Sequence, residues 1–288
     1  MKIKDILRQD RVTLSFEVFP PKKESAFDSV KEAATKIALL HPDFISVTYS
    51  AGGSGNKMYT LKLAHELNAE YGAQVMPHLT CVTSTKDFVR HMIESYKDMG
   101  IENIMALRGD IPADGQVEKD YQHASQLIED IKSQGDFCIG GACYPEGHPE
   151  CEHKADDIKH LKEKVDCGCD FLTTQMFFDN NIFYNFLYRI REAGISVPVL
   201  PGIMPITRAV QLGRSVQMSG TNVPERFKAI VDHFGTNPAA MKQAGIVYAS
   251  EQIVDLIAND IKHIHVYTMN APDVAEAIMN NVSAMLGR

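Results

Sequence analysis

The run FLTTQMFFD (Phe171–Asp179) leads into a segment of helical period from Asn181 to Ala193, a glycine at position 194, and then VPVLPGIMP (Val197–Pro205). A β-rich run, a helix and a second β-rich run form a βαβ unit, whose strands must be parallel because a tight turn cannot join them. The same unit recurs on both sides. Upstream stand VTLSFEVF (Val12–Phe19) with a helix Ser25–Leu40, DFISVTYS (Asp43–Ser50) with Tyr59–Tyr71, and QVMPHLTC (Gln74–Cys81) with Lys86–Met99. NIMALRGD (Asn103–Asp110) with Tyr121–Ser133 and CIGGACYPE (Cys138–Glu146) with Ala155–Asp166 complete that side. Downstream, VPVLPGIMP precedes a helix Thr207–Met218, extra helical material covers Pro224–Ile261, and HIHVYTMN (His263–Asn270) precedes the helix Ala271–Leu286.

This reading gives eight βα units, which fits an α/β fold of the closed (β/α)8 TIM-barrel type with extra helical material between the seventh and eighth units. An open doubly wound sheet is the competing topology. Gly72, Gly100, Gly135, Gly168 and Gly194 each follow a helical segment, where a left-handed terminal residue is expected. No linker, low-complexity tract or charge run divides the chain, so residues 1–288 are read as one catalytic domain.

The chain has 288 residues, 44% of them hydrophobic, enough for a sizeable core. Basic residues number 29 against 37 acidic, a net charge of −8, which offers no overall positive field for nucleic acid or an anionic membrane. No apolar run approaches the roughly 20 residues of a membrane helix, and MKIKDILRQDR lacks the apolar stretch of a secretory signal. A cytoplasmic location is therefore expected. The six cysteines are too sparse for a disulfide scaffold, and Cys167-Gly-Cys169 is tighter than common zinc spacing with no second pair beside it. No metal is expected.

In a barrel, catalytic groups gather at the C-terminal ends of the strands. Those positions here carry Glu17, Thr48 and Tyr49, His78 and Thr80, Arg108-Gly109-Asp110, Tyr144, Glu146 and His148, Gln175 and Asp179, and Tyr267 and Asn270. Glu17 alternates with Phe16 and Val18; if its face is the lumen, desolvation raises its pKa and fits it as a general acid. The alternative is a glutamate paired with a basic neighbour. Arg108, Gly109 and Asp110 offer a guanidinium fork, a closely approachable backbone and a carboxylate, or else an Arg–Asp pair that closes a turn. His78, His148 and Asp110 in a metal-dependent barrel hydrolase make a rival reading, and a non-catalytic barrel binding a pterin or nucleotide makes another. His263-x-His265 falls at the start of the eighth strand and is placed toward the opposite face. Asp157, His160 and Lys164 share one helical stripe, which is either a solvated face or a phosphate or ribose contact.

SFEVFPPK, SVTYSAGG, PHLTC, ALRGD, YPEGHPE, TQMFFD, PGIMP and YTMN, in this order, resemble the 5,10-methylenetetrahydrofolate reductase family of the bacterial type over roughly Arg11 to Asn270. The resemblance implies an FAD-containing barrel that passes a hydride from NADH or NADPH to methylenetetrahydrofolate, feeding methionine synthesis, and a homo-oligomer. It implies Glu17 as the acid that opens the imidazolidine ring and Asp110 as the carboxylate near the developing cation. Substrate contacts are implied for Glu17, Thr48, Asp110, Gln175 and Gln211. FAD contacts are implied for Thr48, Tyr49, Ala51, His78, Arg108, Gly109, Asp110, Ala124, Tyr144, His148 and Cys151, and for Asp157, His160, Glu163 and Lys164 on the fifth helix. The chain departs from the pattern at Ala271, where many members have Arg, at His123, where Tyr is usual, and at Ser215, where an aromatic is used over the nicotinamide. Preference between NADH and NADPH stays open.

Overall fold

The computed structural model describes residues 1–49, 57–112, 115–151 and 153–287. Its parallel strands are β1 (Thr13–Val18), β2 (Ile45–Val47), β3 (Val75–Thr80), β4 (Asn103–Leu107), β5 (Cys138–Cys143), β6 (Phe171–Thr174), β7 (Val199–Leu200), β8 (Gly202–Ile203) and β9 (His263–Tyr267). They run in the order β7-β6-β5-β4-β3-β2-β1-β9-β8. β7 and β8 are the two halves of VPVLPGIMP, one pairing with β6 and the other with β9. The break falls at Pro201, which has no N–H to give a ladder but whose carbonyl accepts from His265 N at 3.0 Å. The order therefore returns on itself, and the expected barrel of eight βα units is present, with its seventh strand divided in two.

Register is pinned by the same device at two places. Asp43 Oδ2 accepts from Leu14 N at 2.8 Å between β1 and β2, and Asp170 Oδ2 accepts from Ile139 N at 2.8 Å between β5 and β6. The next residue in each case, Phe44 and Phe171, enters the lumen, and the two rings meet edge-on at 6.4 Å. With Ile3, Leu7, Met76, Met105, Cys138 and Leu200 they form an apolar plug in the barrel. Burial at the roughly 25 cal/mol per Å² typical of apolar surface makes such a plug a large part of the fold's stability, and leaves polar chemistry to the strands' other ends.

Most helices match the expected segments, including Lys86–Asp98, Lys154–Asp166 and Asn180–Glu192. Side-chain caps fix several starts: Thr85 Oγ1 accepts from Phe88 N, Asp179 Oδ1 from Asn181 N and Asn237 Oδ1 from Ala240 N. The helix expected from Tyr121 begins at Ala124 instead, because Gln126 Oε1 turns back to accept from Gln122 N and His123 N. The extra material forms two helices, Glu225–Phe234 and Pro238–Ala258. They fold back onto the barrel through Tyr248, which stacks on Phe227 at 4.2 Å and donates to the Phe178 carbonyl at 2.7 Å. Of the five glycine stops, Gly72, Gly100, Gly168 and Gly194 have positive φ, but Gly135 is extended at φ 179°. Packing explains that glycine instead: a Cβ there would lie 2.9 Å from the Phe137 ring.

Candidate active site

A cavity of about 540 Å³ opens where β2, β3, β4 and β5 end, walled on one side by the helix Lys154–Asp166. Tyr49, His78, Arg108, Gly109, Asp110, Ala124, Tyr144, His148, Cys151, Asp157, His160, Glu163 and Lys164 all line it. Thr48 does not; its carbonyl accepts from Thr60 Oγ1 at 2.9 Å. Ala51 and the glycine-rich run around it lie outside the described residues.

The wall is built from opposed charges. Arg108 does not pair with Asp110 to close a turn. Its two terminal nitrogens donate to Glu150 at 2.6 and 2.8 Å and its Nε to the Gly109 carbonyl at 3.2 Å, and the Glu150 hydrogen bond, ahead of the Glu150, Tyr144 and Asp110 charges, raises its pKa against desolvation. Gly109 has φ +86°, and a Cβ there would sit 3.0 Å from Thr80 Cβ, so the bend into the cavity needs glycine. Tyr144 meets His148 edge-on at 4.5 Å, and desolvation, helped by the Arg108 charge, lowers the His148 pKa. The stripe on the fifth helix is not a solvated face at Lys164. That ammonium donates to the Ala142 carbonyl at 2.7 Å, and burial pulls its pKa below the usual lysine value.

Glu17 lies beside this cavity and reaches it through His78, whose Nε2 is 3.4 Å from Glu17 Oε2. Ser46 Oγ donates to the same oxygen at 3.2 Å, and His265 Nε2 is 3.7 Å away. Oε1 accepts no hydrogen bond from a described residue. The expectation of a raised pKa is corrected here. Burial does push the carboxyl up and is the largest single influence, but pairing with His265, the charges of His78 and His265 and the Ser46 hydroxyl together outweigh it. The Glu17 pKa is left below the usual carboxylate value, with the group ionised at neutral pH. His78 is pulled down in turn, by desolvation first, partly countered by Glu17.

His265 is a second correction. It is 1% exposed inside the barrel, not on the opposite face. Its ring stacks on Phe44 at 5.9 Å, its Nδ1 meets Ser15 Oγ at 2.8 Å, and its Nε2 meets Ser46 Oγ at 3.3 Å. The signal was the parallel register: Ser15 faces His265 and Glu17 faces Tyr267 across β1 and β9, while Glu17 faces Ser46 across β1 and β2. Residues two apart on a strand share a face, so Ser15 and Glu17 deliver their partners to one side. Glu150 and Ser46 were also missed.

Other named residues are placed elsewhere on the same face. Gln175 Oε1 accepts from Met176 N at 2.9 Å, and Gln211 Oε1 accepts from Thr207 N and Oγ1, each at 3.1 Å. Neither lines the cavity, and neither amide nitrogen has a partner among the described residues. Asn270 clamps Phe19 N and O at 2.9 and 2.8 Å, and Tyr267 Oη donates to the Thr174 carbonyl at 2.5 Å. Ser215 is buried on the helix Ala209–Ser219. Among the described residues no three His, Cys, Asp or Glu are grouped to hold a metal ion.

Fold and site together define a (β/α)8 barrel with a cofactor-sized cleft at its C-terminal face and a partly buried acid at the cleft's edge. The family model of methylenetetrahydrofolate reductase matches residues 2–283. The chain is 33% identical to the 5,10-methylenetetrahydrofolate reductase of Pectobacterium carotovorum, covering 95% of this chain and 91% of that one. It is 34% identical to methylenetetrahydrofolate reductase (NADH) 1 of Arabidopsis thaliana, covering 98% of this chain but 50% of the plant protein. It thus spans about half the length of the plant relatives it matches. A structure of a Clostridium thermocellum protein that binds two copies of 5-methyl-5,6,7,8-tetrahydrofolic acid shares the fold at a TM-score of 0.66 and 13% identity, each chain covered to 100%. The chain belongs to the methylenetetrahydrofolate reductase family.

Proposed function

We propose that the protein reduces 5,10-methylenetetrahydrofolate to 5-methyltetrahydrofolate, with FAD as resident cofactor and NADH or NADPH as electron donor. The observation that carries this reading is Glu17 seated against His78, so that a carboxyl group meets the edge of the cleft. The cleft's residues fit FAD. Its volume lies within the roughly 300–1,000 Å³ of cofactor sites, and it joins apolar Leu161, Leu107 and Val82 to cationic Arg108 and Lys164. Tyr49, His78, Arg108, Asp110, Tyr144, His148, Asp157, His160 and Lys164 would hold it, with Ala124 and Gly109 giving close approach. Bound there, FAD supplies a carrier that takes a hydride from the nicotinamide and gives it to the folate.

The chain's own residues supply the rest. Opening the imidazolidine ring requires a proton on the departing nitrogen, and Glu17 is the group placed to give it. Its carboxylate is held in the resting protein by Ser46, His78 and His265. A pterin covering Oε1 excludes water and shifts the group toward its protonated form. Asp110, on the rim, favours the cation that ring opening leaves. Gln175 and Gln211, their side-chain carbonyls accepting from Met176 N and from Thr207 N and Oγ1, present N–H donors to the pterin.

The test is an anaerobic titration of the purified protein. A yellow protein bleached by NADH or NADPH and recoloured by methylenetetrahydrofolate is expected. Stoichiometric metal without flavin supports a barrel hydrolase instead, and bleaching without recolouring refutes the reductase. Glu17→Gln should keep flavin and its reduction by nicotinamide while folate reduction falls about 100-fold or more; an unchanged folate rate removes Glu17 from the mechanism.

A further inference from the structure

Glu146, on the loop after β5, is fixed to a segment far away in sequence. Both its carboxylate oxygens accept from Asn222 N, each at 3.1 Å, and Oε2 also accepts from Asn222 Nδ2. Asn222 follows the helix Ala209–Ser219, and the residues between are tied down as well. Ser219 Oγ donates to the Ser215 carbonyl at 2.7 Å and lies 2.7 Å from Thr221 Oγ1, and Thr221 Oγ1 donates to the Met176 carbonyl at 3.1 Å. One short segment thus touches the loop after β5, the loop after β6 and the helix that carries Gln211 and Ser215.

The two sides it joins differ in kind. Glu146 is two residues from Tyr144, a wall of the cleft, and Met176 is next to Gln175. The helix Ala209–Ser219 lies outside the cleft lining, whereas Gln175 is already tied to it, its N donating to the carbonyl of the cleft residue Cys143 at 2.7 Å. Three hydrogen bonds onto one carboxylate, two of them from a backbone N–H, make a directional tie.

We infer that Glu146 is a positioning residue. Through Asn222 it sets the helix Ala209–Ser219, which carries Gln211, in register with the cleft, and so governs binding of the folate at the proposed substrate side without touching it. This rests on the function proposed above. Loss of the tie lets the Gln211 amide drift relative to the cofactor, which costs substrate binding and leaves the cleft intact.

A charge-swap cycle tests it. Asn222→Asp places a carboxylate against Glu146 and should raise KM for methylenetetrahydrofolate at least fivefold, with FAD affinity, read from flavin fluorescence in the apoprotein, within twofold of the parent. Glu146→Gln combined with Asn222→Asp restores a donor–acceptor pair and keeps an oxygen for the Asn222 backbone N–H, and should return KM to within twofold. An unchanged KM in Asn222→Asp overturns the inference, as does a raised KM that the double variant fails to restore, or FAD affinity that falls in step with KM. If the parent protein binds no flavin or does not reduce the folate, the proposed function fails first, and that outcome is separate from all of these.

Discussion

Gly109→Ala puts the wall of the cleft under a strain whose size follows from its neighbours. The backbone there has φ +86°, and the added methyl would lie 3.0 Å from Thr80 Cβ, 3.2 Å from Thr80 Cγ2 and 3.3 Å from Val82 Cγ1. A left-handed conformation costs an L-residue about 1–2 kcal/mol, and crowding a packed site costs about 1–3 kcal/mol more. The preceding residue cannot easily yield toward β3, because the Arg108 carbonyl accepts from Val82 N at 2.8 Å and from Cys81 N at 3.2 Å. The peptide therefore moves into the cleft and carries Asp110 and the Arg108 fork with it. If about half of a ~3 kcal/mol strain is relieved this way, FAD affinity falls roughly tenfold, since ~1.4 kcal/mol is one decade, and the remainder appears as a melting temperature lower by several degrees. Flavin fluorescence titration of the apoprotein and thermal unfolding read the two parts. Thr80→Ala added to Gly109→Ala removes the Cγ2 contact and should recover part of both. Unchanged affinity and unchanged melting temperature in Gly109→Ala would refute the close-approach argument.

His265→Gln removes the first of the opposing influences on Glu17, so burial dominates and the carboxyl titrates higher. In the parent its pKa lies below the usual carboxylate value, so the protonated fraction is lost as pH rises through the acidic range; in the variant the descending limb of kcat/KM for the folate should move to higher pH, and a limb that stays or moves lower contradicts the assignment. Phe171→Ala empties one half of the ring pair at the centre of the barrel plug and should cost about 3–5 kcal/mol in denaturant unfolding. A midpoint equal to the parent's would show that the plug collapses onto the space or contributes little.

The repeating unit was legible because two periods and a set of stops carry it. FLTTQMFFD and VPVLPGIMP are too short and too β-branched or aromatic for helices, and glycines with positive φ close four of the helices between strands. What failed was whatever depends on lateral neighbours. Alternation put Glu17 opposite Phe16 and Val18, but only the register says that Ser46 and Tyr267 flank it and that His265 sits one pair below. Counting from the strand's start assigned His265 to the wrong end, although one residue of rise separates it from Val266 within a strand of five residues. Closeness in sequence offers Asp110 as one alternative partner for Arg108, whereas its partner Glu150 is 42 residues away. Gly135 shows the same limit: the residue type was expected for its backbone freedom and is needed for the space beside Phe137.

The two halves of the face are separable in physical terms. The cleft is made by the ends of β2 to β5 and the helix Lys154–Asp166, while the polar stack under Glu17 is made by β1, β2 and β9. His78 belongs to both, since it lines the cleft and approaches Glu17 Oε2 at 3.4 Å. A buried carboxylate with neutral surroundings would hold its proton at neutral pH; one surrounded by a hydroxyl and two imidazoles gives it up. The resting protein thus keeps Glu17 ionised by contacts that lie outside the bulk of the cleft. A ligand entering from the cleft side meets the His78 ring, which lines the cleft and lies 3.4 Å from Glu17 Oε2. Under the proposed function, substrate occupancy would therefore control the proton needed for ring opening, and the stack behind Glu17 would set how strongly that occupancy must act.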